Sequence, residues 1–137
     1  MATKEAFNNP QLPDFSQVFS WGLKVSDFSE VFFVTGHTDC SPEFISQYPN
    51  DPVRQTKVIL EQMKGLIESA GFTVHDIVRT DWTFTIDVDN EQFSQIAALW
   101  QDYLAEVDVK PATGTLRYVQ RLGMEGLMVE YEMMLAR

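Results

Sequence analysis

The chain has 137 residues, 45% of them hydrophobic and 22% charged, which fits one globular domain with a sizeable core. Twenty acidic residues against ten basic ones give a formal net charge of −10, and no Lys/Arg cluster interrupts that sign; a nucleic-acid backbone is therefore a poor partner. No apolar run approaches the roughly 20 residues of a membrane helix, the N-terminal stretch lacks the apolar core of a signal peptide, and the single cysteine, Cys40, has no internal disulfide partner. These features point to a cytoplasmic protein without membrane contact.

In chain order, residues 1–15 are polar and Pro-broken and read as an N-terminal arm, leaving 16–137 as a single domain. Two strands are expected from about Gln17 to Val25 and from Glu30 to His37, the second alternating Val31, Phe33, Thr35 and His37 against Phe32 and Val34. Residues 38–51 carry two prolines and read as loop. A helix then begins at Pro52 with Asp51 as its cap; Ile59, Met63, Leu66, Ile67 and Ala70 form its apolar stripe and Gly71 ends it.

The stretch HDIVRTDWTFTIDVD, residues 75–89, alternates Ile77, Arg79, Asp81, Thr83 and Thr85 against Val78, Thr80, Trp82, Phe84 and Ile86, the pattern of a strand with one polar and one apolar face. A second helix capped by Asn90 follows, with Phe93, Ile96, Ala97, Trp100, Tyr103 and Leu104 in its stripe. A strand over about 113–122 places Thr113, Thr115 and Arg117 on one side and Leu116 and Tyr118 on the other. A last strand, Leu127 to Ala136, sets Val129, Tyr131, Met133 and Leu135 against Glu130, Glu132 and Met134. The order β-β-α-β-α-β-β implies an α+β fold: a single mixed, six-stranded type of sheet with both helices on one face. The other face, half polar, is of the kind that packs against another subunit.

Several of these segments resemble the Rid family, also called YjgF, of small trimeric imine and enamine deaminases. VFFVTGH (31–37) is similar to that family's strand ending in Ser-Gly-Gln. RQTKVILEQMKGLIESAGFTVHDIVRTDWTFTIDV (54–88) is similar to its Gln-Thr-led helix, Ala-Gly turn and following strand. KPATGT (110–115) stands in the place of Pro-Ala-Arg-Ser, and VEYEMMLA (129–136) in the place of Val-Glu-Ile-Glu-Ala. The resemblance implies a chorismate-mutase-like fold, a homotrimer with clefts at the subunit interfaces, a small-molecule substrate, and hydrolysis without metal or organic cofactor.

Residue by residue, the resemblance gives Glu130 the role of the carboxylate that positions water and Thr35 that of the family's serine. Phe19, Gly36, His37 and Thr113 fall at pocket positions, with Thr115 beside Thr113. Thr113 stands where the family has the arginine that grips a substrate carboxylate, Gly114 stands for its serine, and Ala97 for an asparagine on the second helix. A hydroxyl cannot hold a carboxylate bidentately, so substrates other than short 2-imino acids are expected. Arg117, on the same predicted strand about 13 Å along, is the candidate replacement cation; the alternative is an arginine paired with Glu130, Glu132 or Asp81. His37, Asp39 and Cys40 match no metal-site spacing. A non-catalytic, ligand-binding or regulatory trimer of the same fold, or a protein-interaction module using the trimer edge, remains the alternative to an enzyme.

Overall fold

The computed structural model describes residues 2–137. Its elements are β1 (Thr3–Phe7), β2 (Gly22–Ser26), β3 (Val31–His37), α1 (Pro52–Ser69), β4 (Ile77–Thr85), α2 (Asn90–Tyr103), β5 (Ala112–Thr113), β6 (Arg117–Val119) and β7 (Val129–Ala136). The α+β class with two helices and a mixed sheet is the one expected. The strands divide into a five-stranded sheet, ordered β3-β7-β4-β5 with β6 also on β4, and a separate two-stranded ribbon of β1 and β2. No helix among the described residues is long and apolar enough to cross a membrane.

Both helices form where local chemistry places them. Asp51 accepts the Arg54 amide at 3.1 Å and Pro52 occupies the first helical turn of α1. The chain leaves that helix through Gly71, whose φ of +85° is in the left-handed region. The cap of α2 is Asp89 and not Asn90: its carboxylate accepts the Gln92 amide at 2.8 Å, and the Gln92 side chain accepts the Asp89 amide at 3.0 Å. Adjacent Asp and Asn are both good caps, and the Gln three residues on selects the first.

The helices cover one face of the five-stranded sheet. Ile59, Met63 and Ile67 of α1 and Ile96 and Trp100 of α2 pack on Ile77, Phe84, Tyr131, Met133 and Leu135. Ile77 joins this layer, although strict alternation from Arg79 assigns it to the polar face. A bulge against β7 between Ile77 and Arg79 shifts the parity of β4 by one residue, so that Ile77, Thr80, Trp82 and Phe84 all reach the helix side.

Gln55 and Thr56 begin the buried face of α1 with all their polar atoms used. Gln55 donates to the Tyr48 and Gly126 carbonyls at 2.8 and 2.7 Å and accepts the Met128 amide at 2.9 Å. Thr56 Oγ1 bonds the Pro52 carbonyl and lies 2.6 Å from the buried Tyr131 hydroxyl. Buried amides and hydroxyls are tolerated on these terms, and together they fasten the 48–51 and 126–128 loops to the helix.

The N-terminal region differs from its sequence pattern in detail. Residues 3–7, within the stretch read as an arm, form β1, paired antiparallel with β2 in the register Thr3↔Ser26 to Phe7↔Gly22; residue 1 lies outside the described residues. The expected strand from Gln17 begins only at Gly22. Residues 8–21 cross the end of the five-stranded sheet, where Ser20 donates from its amide to the Pro111 carbonyl at 3.0 Å and from its hydroxyl to the Lys110 carbonyl at 2.5 Å.

Candidate functional site

The expected site residues fall into two groups on opposite faces of the five-stranded sheet. The first group lies on the face away from the helices. Glu130 of β7 is in register with Thr83 of β4, and Thr83 is in register with Arg117 of β6, so the three side chains form one row across three strands. With strands spaced about 4.8 Å apart, the outer two Cα atoms are separated by roughly 10 Å. Arg117 makes no ion pair among the described residues, and neither does Glu130.

Gly36 of β3 passes directly beneath Glu130. A Cβ at that position would lie 2.5 Å from Glu130 Oε2 and 3.0 Å from its carboxyl carbon, so glycine is required for the carboxylate to rest against the backbone. Thr35, exposed, borders a shallow groove with Phe33, Arg79 and Asp81. His37 Nδ1 lies 2.6 Å from the Thr35 carbonyl; since a carbonyl only accepts, Nδ1 carries the proton and Nε2 is left available as an acceptor in the neutral ring. Asp39 and Cys40 turn to other partners: the buried Asp39 accepts from the Ser46 hydroxyl at 2.7 Å and the Tyr48 amide at 2.8 Å, and Cys40 Sγ contacts the Ser41 carbonyl and Met124.

The second group lines a cavity of about 400 Å³ on the helix side of β4, roofed by residues 15–19 and closed by α2 and β5. Phe19 and Thr113 both line it, together with Trp82, Trp100 and Ala97. Thr113 is in register with Thr80 of β4, a helix-side residue, whereas Arg117 is in register with Thr83 on the other side. Four residues on the one strand therefore span only three on β4. The chain between them, Gly114 to Leu116, leaves the ladder and breaks the expected strand into β5 and β6. Thr113 and Arg117 consequently leave the sheet on opposite faces, which corrects the single face read from strict alternation. Thr115 is exposed in the connecting segment, and Leu116 returns to the cavity wall.

The step out of the ladder is tied to a feature that alternation alone does not reveal. Arg79 donates to Asp81 through Nε at 3.0 Å and Nη2 at 3.2 Å, with the Asp81 side chain only 7% exposed and that of Arg79 51%. These bonds raise the pKa of the Arg79 guanidinium further above its ordinary range. Gly114 packs on this pair: a Cβ there would overlap Asp81 Oδ1 and lie 2.7 Å from Asp81 Cγ and 2.8 Å from Arg79 Nη2. Asp81 thus has Arg79, two residues away on its own strand, as its cation, and Arg117 stays free of it.

Of the aromatic residues that line the cavity, Phe19 is the one the family resemblance places at a pocket; Phe93 and Trp100 read as the apolar stripe of the second helix and Trp82 as the apolar face of its strand. Phe15, Phe19 and Trp21 form one cluster, with centroids 5.3 Å apart for Phe15–Phe19 and 5.0 Å for Phe19–Trp21, held by the Trp21 indole donating to the Pro13 carbonyl at 2.9 Å. Trp82, Phe93 and Trp100 form a second cluster, with Trp82–Trp100 at 5.5 Å.

A family model described as Endoribonuclease L-PSP matches residues 13–136. The chain belongs to this family, also known as YjgF or Rid. A curated RutC family protein of Pyrococcus abyssi is 28% identical over 109 residues, 80% of each chain. The L-PSP fold recurs in the Rid protein YyfB of Yersinia pestis at a TM-score of 0.82, with 19% identity and 98% of both chains covered. Escherichia coli YjgF aligns at 0.64 with 22% identity over 97% of this chain and 98% of that one. E. coli TdcF, solved with bound serine, aligns at 0.65 with 24% identity over 88% and 94%. At these identities the structures establish the shared L-PSP fold, and membership of the family is consistent with processing or binding a small molecule.

Proposed function

We propose that this protein is a small-molecule hydrolase that deaminates an imine- or enamine-type organic acid, other than the short 2-imino acids, in clefts between the subunits of a homotrimer. The observation that carries this reading is the row Glu130–Thr83–Arg117 with Gly36 beneath the carboxylate. It pairs a carboxylate held against backbone with an unengaged cation at the distance that an organic acid spans. The exposed Phe33 on the same face, 70% accessible, supports an interface there. Because the two groups lie on opposite faces of one subunit, this reading requires a trimer in which the Glu130 face of one subunit meets the cavity edge, with Phe19 and Thr113, of its neighbour.

In this reading the substrate reacts as the protonated imine: Glu130 accepts a proton from water as the water oxygen bonds to the C=N carbon, and the π pair moves to nitrogen to give a neutral amine. Glu130 then returns that proton to the nitrogen; the C–N bond breaks with its electron pair on nitrogen as the hydroxyl oxygen forms the C=O bond and passes its proton back to Glu130, and ammonia and a carbonyl compound leave. The Thr35 and Thr113 hydroxyls and the backbone at Gly36 supply hydrogen bonds to the charge that develops, His37 hands on a proton through Nε2, and Arg117 receives the carboxylate. The net charge of −10 supports a small molecule over an RNA strand as substrate.

The test is ammonia release from freshly generated imines and from an enamine acid such as 2-aminomuconate. Glu130→Gln is expected to lower turnover by about 10²-fold or more; equal turnover in the variant removes Glu130 from the mechanism. A second reading, a trimer that binds its ligand without turnover, is favoured by one feature: Thr113 and Ala97 leave the cavity uncharged. Saturable binding with no ammonia from any imine would decide for it.

A further inference from the structure

The cavity under residues 15–19 has a chemistry of its own. None of the residues that line it is charged; its hydroxyl and amide side chains are those of Thr80, Thr113 and Gln101, beside Trp82 and Trp100, whose buried indole N–H groups have no hydrogen-bond partner among the described residues. Lys110, at the adjoining turn, is turned away, with its ammonium bonded to the Leu104 and Val107 carbonyls at 2.8 Å each. A carboxylate placed inside would lose its hydration and meet no cation, which is the costly way to bury a charge.

The walls are aromatic on two sides. On one side Phe15 stacks on Phe19, backed by Trp21 edge-on to Phe19; on the other Trp82 packs tilted on Trp100 and edge-on to Phe93, and no close ring pair joins the two clusters among the described residues. The cavity is the gap between them. Its volume of about 400 Å³ compares with the roughly 150 Å³ that holds one benzene in an apolar core. Two fused rings fit it, and the faces of aromatic side chains favour a flat occupant.

We propose that this cavity takes an uncharged, ring-bearing apolar body of about two fused rings as part of the ligand, with any carboxylate left outside it. The inference rests on the assignment of the cavity as the ligand-holding half of the proposed site, and it specifies the ligand that half selects.

The test uses the full chain with 2-naphthol and naphthalene-2,6-dicarboxylate, which cannot keep both charges outside. Titration calorimetry is run at about 0.5 M salt, so that the overall negative charge of the protein is screened. The naphthol is expected to bind saturably and at least about tenfold more tightly than the dicarboxylate, with NMR contacts to the Ala97 and Val18 methyl groups. Ala97→Trp should weaken naphthol binding at least about tenfold with the melting temperature held, because the indole fills the cavity. Thr113→Arg, at an exposed position that tolerates a long side chain, should narrow or reverse the preference and carries the test alone should Ala97→Trp fail to fold. Equal affinities for the two probes, no saturable naphthol binding, or unaltered discrimination in Thr113→Arg overturns the proposal. None of these readouts needs ammonia release: a protein that binds naphthol and turns over no imine refutes the deaminase reading alone, and one that turns over imines yet ignores naphthol refutes only this inference.

Discussion

Replacing Gly114 by alanine should change sign with the residue at position 81. Gly114 has no positive φ, so alanine is compatible with the backbone there and should stabilise by about 0.4–1 kcal/mol through the unfolded chain. In the native protein that gain is outweighed. The new Cβ overlaps Asp81 Oδ1, and the carboxylate, 7% exposed, has to rotate away from its two bonds to Arg79. Losing charge-assisted bonds of this kind costs about 1.5–3 kcal/mol; half exposure of Arg79 places the figure at the lower end, for a net destabilisation of about 0.5–1.5 kcal/mol. With Asp81→Ala already in place the obstruction is gone, the flexible end of Arg79 moves aside, and Gly114→Ala should stabilise by about 0.4–1 kcal/mol. Urea unfolding of the four proteins at one fixed protein concentration measures the cycle. If Gly114→Ala costs the same in both backgrounds, the carboxylate does not govern the break between β5 and β6.

Gly36→Ala should displace the Glu130 carboxylate, which a Cβ would meet at 2.5 Å, lowering kcat/KM by about tenfold or more while urea unfolding shifts by less than about 1 kcal/mol; steady-state ammonia assays and denaturation separate the two effects. Gln55→Leu removes three hydrogen bonds and leaves the buried Met128 amide without a partner, while the Tyr48 and Gly126 carbonyls keep the Asp51 and Asn50 amides, so unfolding free energy should fall by about 1–3 kcal/mol, read from the urea midpoint. Burial raises the Tyr131 phenol pKa, only partly offset by its bond to Thr56. The folded state therefore keeps a proton that the unfolded chain releases above about pH 10, and stability should fall there by about 1.4 kcal/mol per pH unit for this group. Pulse denaturation across pH 9–12 should show that slope reduced by one proton in Tyr131→Phe and no difference in slope below pH 9.

What was legible in the chain was what depends on neighbours in sequence. Asp51, Pro52 and the Ile59–Met63–Ile67 stripe specify α1 with local contacts alone. The faces of β7 follow from plain alternation, which places Glu130 opposite Tyr131 without reference to any other strand. The bulge at the start of β4 is a property of its pairing with β7, and nothing within IVRT announces it. The same applies to Gly114–Leu116, where the mismatch of four residues against three exists only once β4 is alongside. At the candidate site, the family resemblance brought Gly36 and Glu130 together, and Glu130 does lie over Gly36. Beyond Phe19 and Thr113, which the resemblance places at pocket positions, the cavity was hidden for a physical reason: aromatic residues that line a gap have the same spacing and hydropathy as those that fill a core, and only the lack of ring contact between two clusters distinguishes them.

The outer wall of that cavity is not a full ladder strand. Residues 15–19 are attached where Ser20 meets the Pro111 and Lys110 carbonyls, immediately before the turn into Thr113. A wall joined to the sheet edge through Ser20 lacks the regular ladder that holds β4 and β7, so the amides of residues 15–19 should exchange with solvent before those of the sheet.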